Sequence, residues 1–236
     1  MLKVKLADVA VQFNNRFEEL EYLCTGYECE DAPLMELSVS DEDIAMERSM
    51  QPGDFSDGYL ETVCIYRKLA LEMLGQGVFI MHASVIELDG EGYAFLAPSG
   101  TGKTTQTRLW LEHFGRRARV INGDKPLIRL AEENGKPRFI AYGTPWCGKE
   151  GMGCNASVPL KALFLLERAE SPACFEAEQD YSIDKIFRQL LMPERPEQMA
   201  ALLDMADRLI ETLPIYVLRC NISEDSVIAA YNAASR

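Results

Sequence analysis

Histidine is scarce in this sequence, and its cysteines lack the close pairing of a metal site. The 236 residues contain two histidines, His82 and His113, and seven scattered cysteines without a CxxC spacing. A structural zinc site needs four closely spaced ligands of these types, so we expect none, and the odd number of cysteines favours reduced thiols. Charged residues interrupt the N-terminal segment where a secretion signal would be apolar. We therefore expect a cytoplasmic protein.

Long apolar runs and an excess of basic charge are also missing. The longest aliphatic run, residues 162–166, is far shorter than the roughly 20 residues of a membrane helix. Lysine and arginine total 24 against 37 aspartates and glutamates, which gives a net charge of −13. Surfaces that bind nucleic acid depend on basic charge. We expect neither a membrane nor a nucleic acid as partner, and an anionic ligand would need a local site.

The composition is that of a folded protein with one main domain. Hydrophobic residues make up 47% and charged residues 26%, which excludes disordered, collagen-like and coiled-coil chains. Residues 1–55 contain the strand-like runs 2–11 and 34–39 between acidic turns, so we expect a small β-rich layer there. Residues 56–236 are expected to form the main domain.

Turn and periodicity signals outline this main domain. Apolar spacing predicts a helix over 58–74, and Asp89-Gly90-Glu91-Gly92 predicts a tight hairpin between strands 78–88 and 93–96. Further along, the patterns predict a helix at 103–114, a strand at 120–123 that ends at Asp124, a hairpin of 127–131 with 139–142, a strand at 160–166, helices at 183–191 and 196–213, a strand at 215–219, and a last helix capped by Ser223.

One segment between a predicted strand and a predicted helix has the composition of a phosphate-binding loop. It reads Ala97-Pro98-Ser99-Gly100-Thr101-Gly102-Lys103-Thr104-Thr105. Its glycines let backbone amides approach an anion, and the start of the following helix is electropositive. Lys103 would then reach the β- and γ-phosphates of a nucleoside triphosphate, and the Thr104 hydroxyl would bind Mg²⁺. The alternative is a glycine-rich turn with a solvated lysine, since Ala97 replaces the first glycine of the strict motif.

The segment Ser99–Thr105 resembles the nucleotide loop of ATP-dependent phosphoenolpyruvate carboxykinases and of the HPr kinase/phosphorylase family. His82-Ala83-Ser84 resembles the histidine-containing strand ahead of that loop in HPr kinases, and Asp124 stands where these kinases carry paired aspartates. The resemblance covers residues 60–170 and favours the kinase branch, because carboxykinases are more than twice as long. It implies an α/β fold: a mixed β-sheet P-loop fold of the HPr kinase type, with an HPr kinase-like domain over residues 56–236.

The same resemblance implies roles for three side chains. Asp124 would act as the base toward an attacking hydroxyl and as a ligand of Mg²⁺ together with Thr104, while Lys103 and His82 would contact the phosphoryl group. The pattern Asn122-Gly123-Asp124 lacks the first aspartate of the pair, which leaves reverse phosphorylase chemistry without support. Two plainer interpretations stay open: His82 as a core residue of an apolar strand, and Asp124 as a turn former.

The glycine-rich segment 143–155 is the candidate substrate loop. Trp146 and Lys149 stand where they could close on a ligand, although Trp146 could equally anchor the loop by packing. The resemblance implies a kinase that uses ATP and Mg²⁺ to phosphorylate a hydroxyl, with a serine of a protein or peptide as the leading acceptor. A small-molecule kinase or NTPase, and a nucleotide sensor without turnover, are the alternatives. A homo-oligomer is compatible with the sequence.

Overall fold

The computed structural model describes residues 1–235. Its N-terminal part contains three strands and two helices: β1 (Leu2–Leu6), β2 (Val9–Phe13), α1 (Glu19–Leu23), β3 (Met35–Leu37) and α2 (Asp41–Met50). The strands form a sheet in the order β1-β2-β3, with β1 antiparallel and β3 parallel to β2. The expected β-rich layer therefore also holds two helices that we did not predict. For α2 the missed signal is a capping box between Ser40 and Asp43.

The remaining elements build the main sheet and its helices. In chain order they are α3 (Asp57–Glu72), β4 (Val78–Ile80), β5 (Ala83–Leu88), β6 (Glu91–Leu96), α4 (Lys103–Phe114), β7 (Ala118–Asn122), β8 (Leu127–Glu133), β9 (Lys136–Tyr142), β10 (Ser157–Arg168), β11 (Ala173–Glu176), α5 (Gln179–Phe187), α6 (Pro196–Thr212), β12 (Ile215–Cys220) and α7 (Asp225–Ala234). Within residues 1–235, no helix is both long and apolar enough to cross a membrane.

The main sheet is mixed, which agrees with the expected α/β class. Its strands follow the order β4-β8-β9-β10-β6-β5-β7, and β12 with β11 continues from the second half of β10. The strand β10 runs parallel to both β6 and β12, whereas β5 is antiparallel to β6 and β7. The carboxyl ends of β6, β10 and β12 consequently lie at one edge of the sheet, where the chain leaves β6 for α4.

Helices cover both faces of this sheet because its central strands are apolar on both sides. Along β6, Ala94 and Leu96 pack into the core shared with α5 and α6, while Tyr93 and Phe95 pack toward Trp110 of α4. Alternation of side chains along a strand produces this division. A third core joins the N-terminal sheet to α3 through residues such as Phe13, Leu20, Leu60, Ile65 and Leu69.

Four local predictions were wrong in detail. The strand-like run expected over 2–11 is two antiparallel strands, β1 and β2, because the chain turns at Ala7 and Asp8, whose φ angles are positive. The strand expected over 78–88 is interrupted after β4, because β4 pairs with β8 whereas β5 pairs with β6 and β7. His82 lies in the break, and its backbone N–H donates to the Gln189 carbonyl at 2.8 Å. The helix expected at 183–191 is α5, displaced toward the N-terminus. Ser223 does not cap α7: its hydroxyl donates to Asn221 Oδ1 at 2.7 Å, and Glu224 is the N-cap residue.

Candidate functional site

The loop of residues 97–102, called here the glycine loop, connects the end of β6 to the start of α4. Gly100 and Gly102 adopt positive φ angles of 77° and 137°, and a Cβ atom on either would meet nothing within 4 Å. The first backbone hydrogen bond of α4 runs from Gln106 N–H to Gly102 O at 2.9 Å. The N–H groups of residues 103–105 lie before this bond and have no acceptor within the helix. Gly102 has no side chain to cap them. The loop therefore leaves open space beside the first-turn amides of α4.

Lys103 points back under the glycine loop. Its side chain is buried, and its Nζ donates to the Ala97 carbonyl at 2.8 Å and lies 3.0 Å from Nε2 of His82. Burial lowers the pKa of Lys103, opposed by the nearby Asp124 carboxylate and reinforced by the positive charge of Lys125. The lysine thus connects the loop to the histidine in the break between β4 and β5.

Asp124 approaches the same ring nitrogen of that histidine. Its Oδ1 is 3.1 Å from His82 Nε2, and its Oδ2 is 3.7 Å from Lys125 Nζ. Burial alone would raise the pKa of Asp124, but the hydrogen bond from His82 and the charges of Lys125, His82 and Lys103 outweigh it and lower the pKa below its usual value. One ring nitrogen of His82 therefore faces both an ammonium and a carboxylate, and can satisfy one of them at a time.

Asn122 is a supporting residue whose role was missed at the sequence level. It is fully buried at the end of β7, and its Oδ1 accepts the backbone N–H groups of Asp124 at 2.8 Å and Lys125 at 2.7 Å. Its Nδ2 donates to Thr144 Oγ1 at 2.9 Å. An asparagine two residues ahead of a strand-end turn is a readable signal for such a bond. Asn122 thereby fixes the backbone that carries Asp124.

The hydroxyl residues of the candidate nucleotide site lie at or near the surface. Ser99 is exposed, whereas Thr101, Thr104 and Thr105 are half-buried. No group of three or more histidine, cysteine or acidic side chains suited to a metal ion occurs within residues 1–235.

The candidate substrate loop separates its two predicted residues. Trp146 stacks on Tyr66 of α3, with ring centroids 4.1 Å apart, and its Nε1 donates to the Thr62 carbonyl at 3.0 Å. Lys149 is exposed at the tip. Gly148 approaches Asp124 so closely that an added Cβ would lie 3.0 Å from the Asp124 Cβ. Trp146 therefore anchors the loop against α3, and the loop passes directly beside the carboxylate.

Two further features adjoin this loop. Glu150 forms an ion pair with Arg108 of α4, which ties the loop tip to the helix that begins at Lys103. A cleft of about 290 Å³ separates the loop from residues 23–27 of the N-terminal layer. Its walls are uncharged and consist of Leu23, Thr25, Gly26, Tyr27, Thr144, Pro145, Cys147, Gly153, Cys154 and Asn155.

Comparison with known proteins gives a family and a similar structure. No curated protein matches the sequence significantly. Among solved structures, the HPr(Ser) kinase/phosphatase from Coxiella burnetii is similar at 14% identity and a TM-score of 0.30, over 54% of this chain and 86% of the other. The family model of the SynChlorMet cassette protein ScmC matches residues 60–225, which contain the glycine loop, His82 and Asp124. The chain belongs to the ScmC family.

Proposed function

We propose that this protein is an ATP- and Mg²⁺-dependent kinase that transfers a γ-phosphate to a hydroxyl group. The observation that carries the proposal is the convergence of Lys103, His82 and Asp124 at the glycine loop, with 3.0 Å and 3.1 Å between successive side chains. A phosphate-binding loop, a cation for the transferring group and a carboxylate for the acceptor are the components that phosphoryl transfer requires.

The loop fits the phosphates of a nucleotide. The space beside Gly100 and Gly102 is open. The N–H groups in the first turn of α4, at residues 103–105, are suited to bind an anion. Lys103 would exchange the Ala97 carbonyl and His82 Nε2 for phosphate oxygens. His82 would then be free to donate from Nε2 to Asp124 and to hold that carboxylate in place.

Thr104 and Asp124 are the residues proposed to hold Mg²⁺, with phosphate oxygens and water completing its coordination. When bound, the ion neutralises charge on the phosphates during transfer. Thr104 suits this role because it stands in the first turn of α4 and its side chain is partly accessible.

In the proposed reaction, Asp124 orients the acceptor hydroxyl. The acceptor oxygen forms a bond to the γ-phosphorus, while the bond from that phosphorus to the β–γ bridging oxygen breaks and its electron pair leaves with ADP. The acceptor proton passes to a carboxylate oxygen of Asp124 and then to solvent. The lowered pKa keeps Asp124 ionised, and the hydroxyl becomes acidic as its oxygen bonds to phosphorus.

We propose a serine of a protein or peptide as the acceptor, and the cytoplasm, where ATP and Mg²⁺ are supplied, as the place of reaction. The exposed Lys149, which follows the Gly148 that approaches Asp124, and the uncharged cleft behind the loop support an extended, neutral or acidic acceptor segment. A second candidate is a nucleotide sensor without turnover. It is favoured by the single aspartate, because the neighbouring Asn122 is a neutral amide whose oxygen already accepts two backbone N–H groups.

The test combines nucleotide binding and transfer in the same samples. Isothermal titration with ATP and Mg²⁺ compares the wild type with Lys103→Ala and Asp124→Asn, and γ-phosphate transfer to a proteome extract follows. Lys161→Ala is the matched control, because Lys161 pairs with Glu91 at the start of β6, away from the glycine loop. We expect Lys103→Ala to weaken binding about tenfold or more, and Asp124→Asn to retain binding while transfer falls by about 10²–10⁴.

The outcomes separate the candidate functions. A wild type that does not bind ATP would overturn both the kinase and the sensor. Binding without a labelled acceptor would favour the sensor. Equal loss of binding in Lys103→Ala and Asp124→Asn would mean that Asp124 acts through the metal ion or the fold rather than on the acceptor.

A further inference from the structure

The geometry points to Arg168 as a positioning residue that holds the glycine loop in its phosphate-ready shape. This inference rests on the proposed nucleotide site and adds a residue that the sequence did not indicate. Arg168 is the last residue of β10, and its guanidinium contacts two successive loop carbonyls. Nε donates to Thr101 O at 3.1 Å, and Nη2 donates to Gly100 O.

The sheet provides a rigid support for this arginine. The strand β10 pairs in parallel with β6 up to the partners Leu165 and Leu96, and then continues beyond β6. Over this extension it pairs with β12, where Arg168 lies opposite Cys220. The guanidinium therefore lies beyond the end of β6, next to the carbonyls of Gly100 and Thr101. The strand that carries it is hydrogen-bonded to β12.

The hydrogen bonds from Arg168 fix the direction of two loop carbonyls and thereby of the N–H groups that follow them. A trans peptide group is planar, so its C=O and the following N–H point in opposite directions. With Thr101 O held by Arg168, the Gly102 N–H is turned away from the arginine. With Gly100 O held, the Thr101 N–H is also turned away from the arginine, and it donates within the loop to Pro98 O at 3.3 Å.

Such a restraint matters most in this loop. Two glycines with positive φ give it a large number of accessible conformations, few of which point the amides at one anion. A planar guanidinium contacts two acceptors in a fixed relative orientation, whereas an ammonium on a flexible stem does not. The role therefore depends on the two-pronged contact and not on positive charge alone.

The test uses inorganic tripolyphosphate and ATP as parallel ligands. Isothermal titration with Mg²⁺ compares the wild type, Arg168→Ala, Arg168→Lys and Arg219→Ala. Arg219 is the matched control because it is an exposed arginine at the same sheet edge, yet it faces Glu167 and the Phe175 ring. In the nucleotide-free proteins, the rate of amide hydrogen exchange in peptides covering residues 97–105 measures how firmly the loop is held. Urea midpoints show whether global stability has changed.

We expect both Arg168 variants to bind tripolyphosphate and ATP about fivefold to tenfold more weakly. Loop exchange should be faster in both, while their urea midpoints and all properties of Arg219→Ala stay at wild-type values. Unchanged binding in Arg168→Ala overturns the inference. So does full affinity in Arg168→Lys, which would assign the effect to charge, or a loss confined to ATP, which would place Arg168 on the nucleoside.

Failure of the proposed function remains distinguishable from failure of this inference. If the wild type binds neither ligand, the nucleotide site is refuted, and the exchange experiment decides the positioning role by itself. Unchanged loop exchange in Arg168→Ala then overturns it. If Arg168→Ala does not fold, Arg168→Lys provides the same comparison, because it keeps the charge and most of the side chain.

Discussion

Asn122→Ala is expected to destabilise the protein and to displace Asp124. The substitution removes the oxygen that accepts two backbone N–H groups, those of Asp124 and Lys125. It also removes the donor to Thr144. Because Asn122 is fully buried, alanine leaves a cavity in place of this acceptor.

The magnitude follows from the two orphaned amides. An unsatisfied buried donor costs about 1–3 kcal/mol, and these amides are partly accessible to water, so the lower half of that range applies to each. The expected loss in the free energy of unfolding is about 2–4 kcal/mol. For a chain of this size that corresponds to a fall in Tm of roughly 4–16 °C. Transfer at 25 °C should fall about 10²-fold, because the carboxylate loses its fixed position.

Urea unfolding followed by circular dichroism measures the stability, with Asn155→Ala as the control. Asn155 is exposed and makes one bond, to Gly26 O at 2.8 Å, so its loss should cost less than about 1 kcal/mol. A cost below about 0.5 kcal/mol for Asn122→Ala would refute the claim that these bonds are structural. Destabilisation without loss of transfer would refute the claim that they position Asp124.

Three further perturbations test the surroundings of the site. Trp146→Ala should cost about 2–3 kcal/mol in urea unfolding, because the ring stacks on Tyr66, whereas Trp146→Phe keeps the stacking and should cost about 1 kcal/mol. Gly123→Ala should cost about 1–3 kcal/mol in the same assay and reduce transfer, because its Cβ would lie 2.8 Å from a backbone oxygen of the facing loop. Burial raises the pKa of Cys24 to about 12 and that of Cys64 to about 11. Both thiols should therefore react with iodoacetamide at pH 8 far more slowly in the native protein than in urea, as counted by mass spectrometry; native reaction at the unfolded rate would contradict their burial.

Local sequence signals predicted the elements that depend on neighbouring residues. The helix α4 has the predicted bounds 103–114, and the hairpin of β5 and β6 turns at Asp89 and Gly90, whose φ angles are 53° and 85°. A turn with two successive positive φ angles suits a tight hairpin. The mixed α/β architecture also follows from this order of strands and helices.

Contacts between residues far apart in sequence determine the features that local sequence signals did not predict. The strand-like run from Val78 to Leu88 contains no turn signal, yet its halves pair with different strands and leave His82 between them. The choice depends on β8 and on Gln189, both far along the chain. The same limitation applies to Arg168, whose contact with the glycine loop follows from the parallel pairing of β6 and β10. No spacing within the loop motif indicates it.

Ala97 shows how such contacts can explain a departure from a motif. In the strict pattern a glycine stands there, and an alanine is costly only if the backbone must adopt a positive φ. Ala97 does not adopt the left-handed conformation, and its methyl group is buried in the core beside α4. Its carbonyl accepts from Lys103 at 2.8 Å. The backbone at this position thus holds the lysine without needing a glycine, and alanine adds core packing without backbone strain.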